Sequence, residues 1–432
     1  MKLCVHGDTL FAWVAAAKFA ETGNQVVMRV ASFNSFEPSR EPGLLLLLEE
    51  QQQAGRLLIH AQSDAMPERI GIHLIALDVT LDDVEVFVTG ILATTSDDHT
   101  DVLLLVLTTL PVGSLDHLQR FANEMVVRLG HSRRVSVVGL PLFSREGTAL
   151  TDFTKPSLLL VSGEAQGGAV RQVLELMRPF ARQAAHVMVV PHTTAELIKM
   201  GINAMLATRI SFINEMASLA EKLDVDIELV REGLAADPRI GGDYLEPGCG
   251  FGGPSFSEDL LSYANTIKEE LDTSGLIDAV LAINESQREI LFRKVWRFFH
   301  GQLSGLNIAI WGAAFKAGTA SLENSVVHPL LHALWAQGCQ TSVYDPMAGE
   351  SLREMYGQQK LLTIASSAIN AIEKADALIV VTAWDEFWNP DFDILKEKMI
   401  RPVVFDGRNI YEPEAMAEQG FRYFAIGRGE RV

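Results

Sequence analysis

The fold is decided by one stretch in the middle of the chain, PHTTAELIKMGINAMLATRISFINEMASLAEKL, residues 191–223. Apolar residues recur there at the three- and four-residue spacing of a helix, so the stretch predicts one long helix. Thr193, followed three residues later by Glu196, is typical of a capping box and predicts the start of the helix. Lys199 and Asn203 are four residues apart, so one helical face carries both. The alternative interpretation of this pair is an ordinary solvated face.

A glycine-rich segment follows the helix and reads DPRIGGDYLEPGCGFGGPSFSEDL, residues 237–260. Four glycines fall within six residues, at positions 248, 250, 252 and 253. Glycine lets backbone approach a bulky ligand closely, at a cost in conformational entropy. An ordinary surface loop is the alternative, but this density of glycine favours a ligand-binding loop.

Both ends of the chain have the strand–turn–helix–strand order of a dinucleotide-binding fold. The first copy begins MKLCVHG, and a second begins with NIAIWG near residue 306. We therefore expect an α/β protein with two Rossmann-like doubly wound domains, joined by the long central helix and a helical dimerisation region. The predicted boundaries are 1–191 for the first domain, 192–300 for the central region and 301–432 for the second domain.

Composition restricts the class of partner. The net charge of −19 argues against nucleic acid and anionic membrane. Cys4, Cys249 and Cys339 are far apart and form no CxxC, so neither a disulfide framework nor a metal site is predicted. The leucine run at 44–48 is too short to span a bilayer, and the start of the chain does not resemble a signal peptide. These features favour a reducing, cytoplasmic location.

Two segments, AELIKMGINAMLATRISFINE and ADPRIGGDYLEPGCGFGGPSFSEDL, resemble the core of the UDP-glucose/GDP-mannose dehydrogenases. Matches to the family continue along nearly the whole chain. The resemblance implies an NAD-dependent oxidoreductase that converts the C6 alcohol of a nucleotide sugar into a carboxylate through a cysteine thioester. It also implies a dimer built around the central helix.

The resemblance carries several functional residues onto this sequence. Lys199 and Asn203 match the pair that holds the developing alkoxide and a water, and Asp259 matches the aspartate of the family's glycine loop. Arg239 matches an arginine that the family lends across its dimer to the substrate. The remaining matches are substrate contacts at Tyr244, Leu245, Gly250, Gly252, Gly253, Lys316 and Arg408, and cofactor contacts at Gly7 and Thr109.

The chain departs from the family where the chemistry takes place. Ser255 stands at the cysteine position, and a serine hydroxyl needs an adjacent base to act as a nucleophile. Cys249, six residues away, is too far along the loop to substitute for it. Leu142 replaces an acid that handles a proton or a water, and Glu323 replaces an arginine on the cofactor side.

The dinucleotide fingerprint of the first domain is also altered. Thr9 and Ala12 stand where the second and third glycines of G-x-G-x-x-G belong, and Val30 stands near the position of the ribose-binding acid. Thr9 adds a side chain where the pyrophosphate approaches most closely. The sequence therefore predicts impaired NAD binding.

Three hypotheses follow for the function. The first is a diverged, non-oxidising homologue that binds a UDP-sugar or related nucleotide sugar, as a homodimer or in a hetero-oligomer with an active relative. The second is a working dehydrogenase with altered chemistry that stops at the aldehyde, a product that requires no thiol. The third is a purely structural subunit.

Overall fold

The structure, a computed structural model, describes residues 1–30, 38–64, 70–94 and 101–428, without the side chains of Ser39 and Ser255. The chain forms two compact units, Met1–Gly201 and Ile202–Val432. The predicted three-part division remains a prediction. No helix in the described ranges combines the length and apolar character that crossing a bilayer would require.

The first unit is built on an eight-stranded sheet. Its strands are β1 Lys2–His6, β2 Gln25–Val30, β3 Leu57–Ala61, β4 Ile72–Ile75, β5 Val102–Val106, β6 Val135–Gly139, β7 Leu158–Ser162 and β8 His186–Val190. The order in the sheet is β3-β2-β1-β4-β5-β6-β7-β8, and of these pairings only β6 with β7 is antiparallel. The first six strands therefore have the 3-2-1-4-5-6 order of a doubly wound dinucleotide fold.

Apolar side chains cover both faces of this sheet. One face packs against α1 Leu10–Glu21, α2 Leu44–Gln53, α5 Ala149–Thr154 and α6 Gly168–Ala181, and the other against α3 Leu81–Thr94 and α4 Ser114–Arg128. Burial on both sides explains why strands such as VLLLV are continuous apolar runs without alternation.

The second unit contains an all-parallel sheet of six strands. They are β9 Asn307–Trp311, β10 Gln340–Tyr344, β11 Leu362–Ile364, β12 Ala377–Val380, β13 Val403–Asp406 and β14 Arg422–Phe424. Their order, β11-β10-β9-β12-β13-β14, repeats the 3-2-1-4-5-6 pattern. The predicted fold class, two Rossmann-like sheets with a long helix between them in the chain, is thus confirmed.

Further helices complete the second unit. Four precede the sheet: α8 Ile227–Ala235, α9 Pro254–Leu271, α10 Gly275–Arg288 and α11 Ile290–Phe298. The others connect its strands: α12 Val327–Ala336, α13 Gly349–Tyr356, α14 Ala368–Ala371, α15 Phe392–Lys398 and α16 Pro413–Glu418. Single 3₁₀ turns lie at Pro38–Arg40 and Asp385–Phe387.

The predicted long helix is α7, His192–Leu223, but the predicted capping box is wrong. The helix begins one residue before Thr193, whose hydroxyl donates to Asp116. The carboxylate of Glu196 instead accepts the backbone N–H groups of Gly113 (2.7 Å) and Leu115 (2.8 Å). It therefore caps the start of α4, where Gly113 offers no side chain of its own. A tertiary contact has replaced the local one.

Removing this carboxylate is expected to destabilise the first unit. Glu196→Ala leaves two N–H groups without their acceptor, which should lower the free energy of unfolding by about 2 kcal/mol. Thr193→Ala is the control and should change it by less than about 0.5 kcal/mol, because its bond to Asp116 is exposed. Urea denaturation of both variants measures the difference. Equal losses would restore the capping-box interpretation.

Candidate functional site

The first candidate site lies at the carboxyl ends of β1 and β4, where the strand order of the first unit reverses and dinucleotides bind in this fold. Gly7 ends β1 with φ at +131°, a backbone conformation that favours glycine. A Cβ at this position would lie 2.1 Å from the carbonyl oxygen of Ala76, the residue after β4. Gly7 is therefore required by the packing of the two turns.

Thr9 joins these same two turns through its side chain. Its hydroxyl donates to the Ala76 carbonyl (3.0 Å) and accepts the backbone N–H of Ala12 (3.2 Å), which makes Thr9 the N-cap of α1. In dinucleotide-binding proteins, the free N–H groups at this helix start receive the pyrophosphate. Here a protein hydroxyl already occupies one of them.

The adenosine end of this site is also altered. Arg29 and Val30, the last residues of β2, are 4% and 1% exposed. The Arg29 guanidinium donates to the backbone carbonyls of Gln62 and of Asp64 (2.7 Å), so it fastens the end of β3. Neither residue supplies the carboxylate that binds ribose hydroxyls, and residues 31–37 lie outside the described part of the chain. The described residues therefore do not fit the usual NAD-binding turn.

Two further predicted residues belong to the first unit. Thr109 is half-buried just after β5. The Lys199 ammonium donates to the backbone carbonyl of Leu142 (2.8 Å) and lies 5.1 Å from the centre of the Phe143 ring. At the position where the resemblance expects an acid, the chain thus offers the lysine a carbonyl, which can orient an ammonium but cannot carry a proton away.

The second candidate site is the glycine loop of the second unit. Gly250 and Gly253 have φ of +96° and +102°, and a Cβ at Gly253 would lie 2.9 Å from the Phe315 ring. Gly252 is the tightest position, because its Cβ would lie 2.2 Å from the backbone oxygen of Asn324. The loop therefore depends on glycine for close backbone packing.

Hydrogen bonds hold the glycine loop from several directions. Gly253 donates its N–H to the Glu323 carbonyl (3.0 Å), and the Asn324 amide donates back to the Gly253 carbonyl (3.1 Å). Cys249 donates its N–H to the carbonyl of Gly407, just after β13. The loop is thus attached both to the segment after β9 and to the carboxyl edge of the sheet.

The acid–amide pair next to this loop is intact. The Asn203 amide donates to the Asp259 carboxylate at 2.6 Å, and Asp259, in the second turn of α9, is 8% exposed. Ser255 lies in the first turn of the same helix, but its side chain lies outside the description. Cys249 is fully buried, and burial raises the pKa of its thiol. This agrees with the expectation that Cys249 does not replace the missing nucleophile.

Predicted cationic contacts are placed unequally. A Cβ at Gly248 would lie 3.2 Å from an Arg408 guanidinium nitrogen, and Arg408 Nε donates to the Val381 carbonyl (2.7 Å). Lys316 follows Phe315, the residue that packs on the loop, and its ammonium lies 5.8 Å from that ring centre. Arg239, in contrast, is highly exposed and pairs with Asp237.

The remaining two predicted substrate contacts, Tyr244 and Leu245, differ in how far they are buried. Tyr244 is half-buried with φ at +60°, an uncommon conformation for a residue with a side chain. Leu245 is 2% exposed and packs among Ile213, Ala217 and Ile426. Its side chain therefore belongs to a core.

Three buried amides that support the loop escaped the sequence interpretation. Asn214 accepts the N–H of Gly248 (2.9 Å), Gln287 donates to the Gly248 carbonyl (2.7 Å), and Asn284 accepts the N–H of Phe251 (2.8 Å). Asn284 and Gln287 are three residues apart on α10, a spacing that places both on one helical face. In the sequence, two amides at this helical spacing among apolar residues could have revealed these loop supports.

Gly252→Ala should disrupt the second unit, because its methyl group would overlap a backbone oxygen that cannot rotate away. We expect a loss of about 1–3 kcal/mol in the free energy of unfolding, measured by chemical denaturation. Gly233→Ala is the matched control: it lies inside α8 with nothing within 4 Å of the added carbon, and should be neutral or slightly stabilising. Equal behaviour of the two variants would contradict the packing of the loop.

Comparison with known proteins matches two segments of the chain to family models. Residues 193–286 match the central domain of the UDP-glucose/GDP-mannose dehydrogenase family, and residues 309–413 match its UDP binding domain. The glycine loop lies in the first segment, and Lys316 and Arg408 lie in the second.

The similarity to individual relatives extends over nearly the full chain. A UDP-glucose 6-dehydrogenase of Pseudomonas aeruginosa is 35% identical over 448 residues, covering 99% of this chain and 98% of the relative. One from Rhizobium meliloti is 30% identical and covers 99% and 100%. Among solved structures, a UDP-glucose dehydrogenase from Pyrobaculum islandicum is 27% identical with a TM-score of 0.84, covering 99% of this chain and 97% of that one.

Proposed function

Because this chain belongs to the UDP-glucose/GDP-mannose dehydrogenase family, we propose that it binds a UDP-type nucleotide sugar and has lost NAD-dependent oxidation. The family's activity is the four-electron oxidation of a nucleotide sugar. Substrate binding and hydride transfer to NAD are two parts of that activity, and the resemblance assigns them to different residues of this chain. In our proposal the first part is retained and the second is lost.

Retention of nucleotide-sugar binding is supported by the second unit. The glycine loop keeps the backbone geometry described above, and Arg408 lies against it at Gly248. Lys316 is on the segment that packs on the same loop. Cations beside a glycine-rich backbone suit a diphosphate, since guanidinium and ammonium groups donate charge-assisted hydrogen bonds to phosphate oxygens.

Loss of oxidation is supported above all by Thr9, whose hydroxyl occupies the helix start that would receive the NAD pyrophosphate. Two further observations agree with it. Leu142 supplies no acid next to Lys199, and the family cysteine position holds Ser255, which lacks the thiolate needed for a thioester. The three substitutions together support the loss of oxidation more strongly than any one of them alone.

A working dehydrogenase that stops at the aldehyde is the second candidate. It is favoured by one observation, the intact contact between Asn203 and Asp259 at 2.6 Å. Oxidation of an alcohol to an aldehyde moves one hydride to a bound acceptor and one proton to a base, and it requires no thiol. The Asp259 carboxylate is a group able to take that proton, and an ammonium such as that of Lys199 stabilises a developing alkoxide. A structural subunit is the third candidate and would bind no nucleotide sugar.

A dimer built on α7 belongs to the same proposal. Five large apolar side chains of this helix are 45–63% exposed, namely Leu197, Met205, Phe212, Leu219 and Leu223. Successive members of this set are eight, seven, seven and four residues apart, so they lie along one stripe of the helix. Such a stripe suits a second copy of this chain or the helix of an active relative.

Titration calorimetry with UDP-glucose and with NAD separates the candidates. We expect heat with UDP-glucose and none with NAD, and we expect Arg408→Ala to weaken UDP-glucose binding by at least about tenfold, the loss of one charge-assisted hydrogen bond. Lys396→Ala, a surface lysine paired with Asp393, is the control and should bind normally. Absence of UDP-glucose binding would favour the structural subunit instead.

Thr9→Gly tests the lost cofactor turn directly. Removing the hydroxyl frees the helix start while a glycine N-cap costs only a few tenths of a kcal/mol, so calorimetric titration of Thr9→Gly with NAD should give a heat of binding that the wild type lacks. Thr9→Ser keeps the hydroxyl and should gain nothing. If the wild-type protein already binds NAD and forms NADH with UDP-glucose, the dehydrogenase candidate replaces the proposal, and Lys199→Ala must then abolish turnover.

A further inference from the structure

Three side chains with metal-binding atoms meet inside the first unit. Cys4 and His6 are two residues apart on β1 and therefore face the same side of the sheet. His73, on β4, is the register partner of Cys4. All three are 0% exposed. The spacing of the cysteines in the sequence predicted no metal site. It could not reveal this cluster, because only strand pairing brings His73 next to His6, which lies 67 positions earlier.

The three groups are close enough to share one ion. His6 Nε2 lies 3.0 Å from His73 Nδ1, and Cys4 Sγ lies 4.0 Å from His6 Nδ1. One ligand atom from each residue lies within 4.8 Å of the other two. Atoms about 2.0–2.3 Å from a common metal ion lie roughly 3.5–4 Å from one another, which is within the 4.8 Å that separates the three ligand atoms at most.

The polar character of this position needs an explanation. Strands buried on both faces of a doubly wound sheet are normally apolar, and buried polar groups cost free energy unless they have partners. His73 Nε2 lies 3.2 Å from the Ile70 carbonyl, so it carries that proton and leaves Nδ1 as an acceptor. Nδ1 of His73 therefore carries no proton and is able to ligate.

Charge and ligand number decide between metals. The cluster, within the described part of the chain, has three ligands, whereas structural zinc is bound by four. Arg29, the register partner of His6 on β2, is a buried cation next to this cluster and is 4% exposed. A divalent ion would add charge to this cationic, dry region. A monovalent ion bound to one thiolate adds none, and thiolate and imidazole are ligands that soft copper accepts.

We propose that Cys4, His6 and His73 form a three-ligand site for a soft monovalent ion, Cu(I). On binding, the Cys4 Sγ–H bond breaks, an Sγ–Cu bond forms, and the proton leaves to solvent. Each imidazole keeps one ring proton on the nitrogen that does not ligate. No electron is transferred, because the ion enters already as Cu(I).

The test is the copper content of the full chain, expressed in copper-supplemented medium and purified with reductant under nitrogen. Because the site is closed, the same protein is also unfolded and refolded with Cu(I) present. Mass spectrometry of the metal should find about one copper per chain, and Cys4→Ala should hold less than about a tenth of that. Cys339→Ala is the matched control, since Cys339 is equally buried but its Sγ donates to the Leu303 carbonyl.

X-ray absorption at the copper edge provides a readout that needs no variant. The expected first shell is one sulfur and two nitrogens. Wild-type protein that holds no more copper than Cys4→Ala, by either loading route, overturns the proposal and leaves the cluster as a neutral hydrogen-bonded chain. Stoichiometric zinc that is lost in Cys4→Ala would overturn the assignment of copper.

Discussion

One buried carboxylate, that of Asp406, organises the second unit. It ends β13 with no exposure to solvent and accepts the backbone N–H groups of Arg408, Ile410 and Tyr411 and the hydroxyl of Tyr423. Burial alone raises the pKa of this carboxyl, and these donors oppose the shift. The turn that Asp406 fixes carries Gly407, whose carbonyl receives the glycine loop, and Arg408, which lies beside it. The positions of the loop and of Arg408 therefore depend on the same acid.

The two units share a strand order but stabilise their ligand-facing edges differently. In the second unit, Asp345 follows β10 and accepts the N–H groups of Ala313 and Ala314, so an acid at the end of the second strand supports the first turn. In the first unit the corresponding strand ends in Arg29 and Val30, and the first turn is bridged by Thr9. The fold is thus the same in both units while the chemistry of the edge differs, which is why function has to be argued from the edge residues.

The sequence predicted the sheets well because buried parallel strands leave a clear signal, the continuous apolar runs that became β5 and β12 and most of β9. It predicted α7 because the apolar residues of this helix likewise recur at a regular spacing.

Sequence-based prediction failed where a side chain acts across a long distance in the chain. Glu196 has the local spacing of a capping box but finds its N–H donors 81 and 83 residues earlier, at Leu115 and Gly113. The assembly of Cys4 and His6 with His73 likewise exists only through the pairing of β1 with β4. Of the residues carried over by resemblance, the structure places Arg408 beside the glycine loop and joins Asn203 to Asp259, but it buries the side chain of Leu245.

The glycines of the loop are weaker support for a ligand than they first appeared in the sequence. Gly252 has to be glycine to pass the Asn324 carbonyl, and Gly253 to pass Phe315, whether or not anything binds. Their entropic cost is therefore already offset by packing within the unit. Arg408 differs, because the bond from its Nε to Val381 uses one of the five N–H donors of a guanidinium. A cation at the carboxyl edge of a parallel sheet, the edge at which α/β folds bind ligands, is not required by this backbone packing. Arg408 and Lys316 are therefore the residues that favour a bound diphosphate, and the glycines hold the backbone in place beside them.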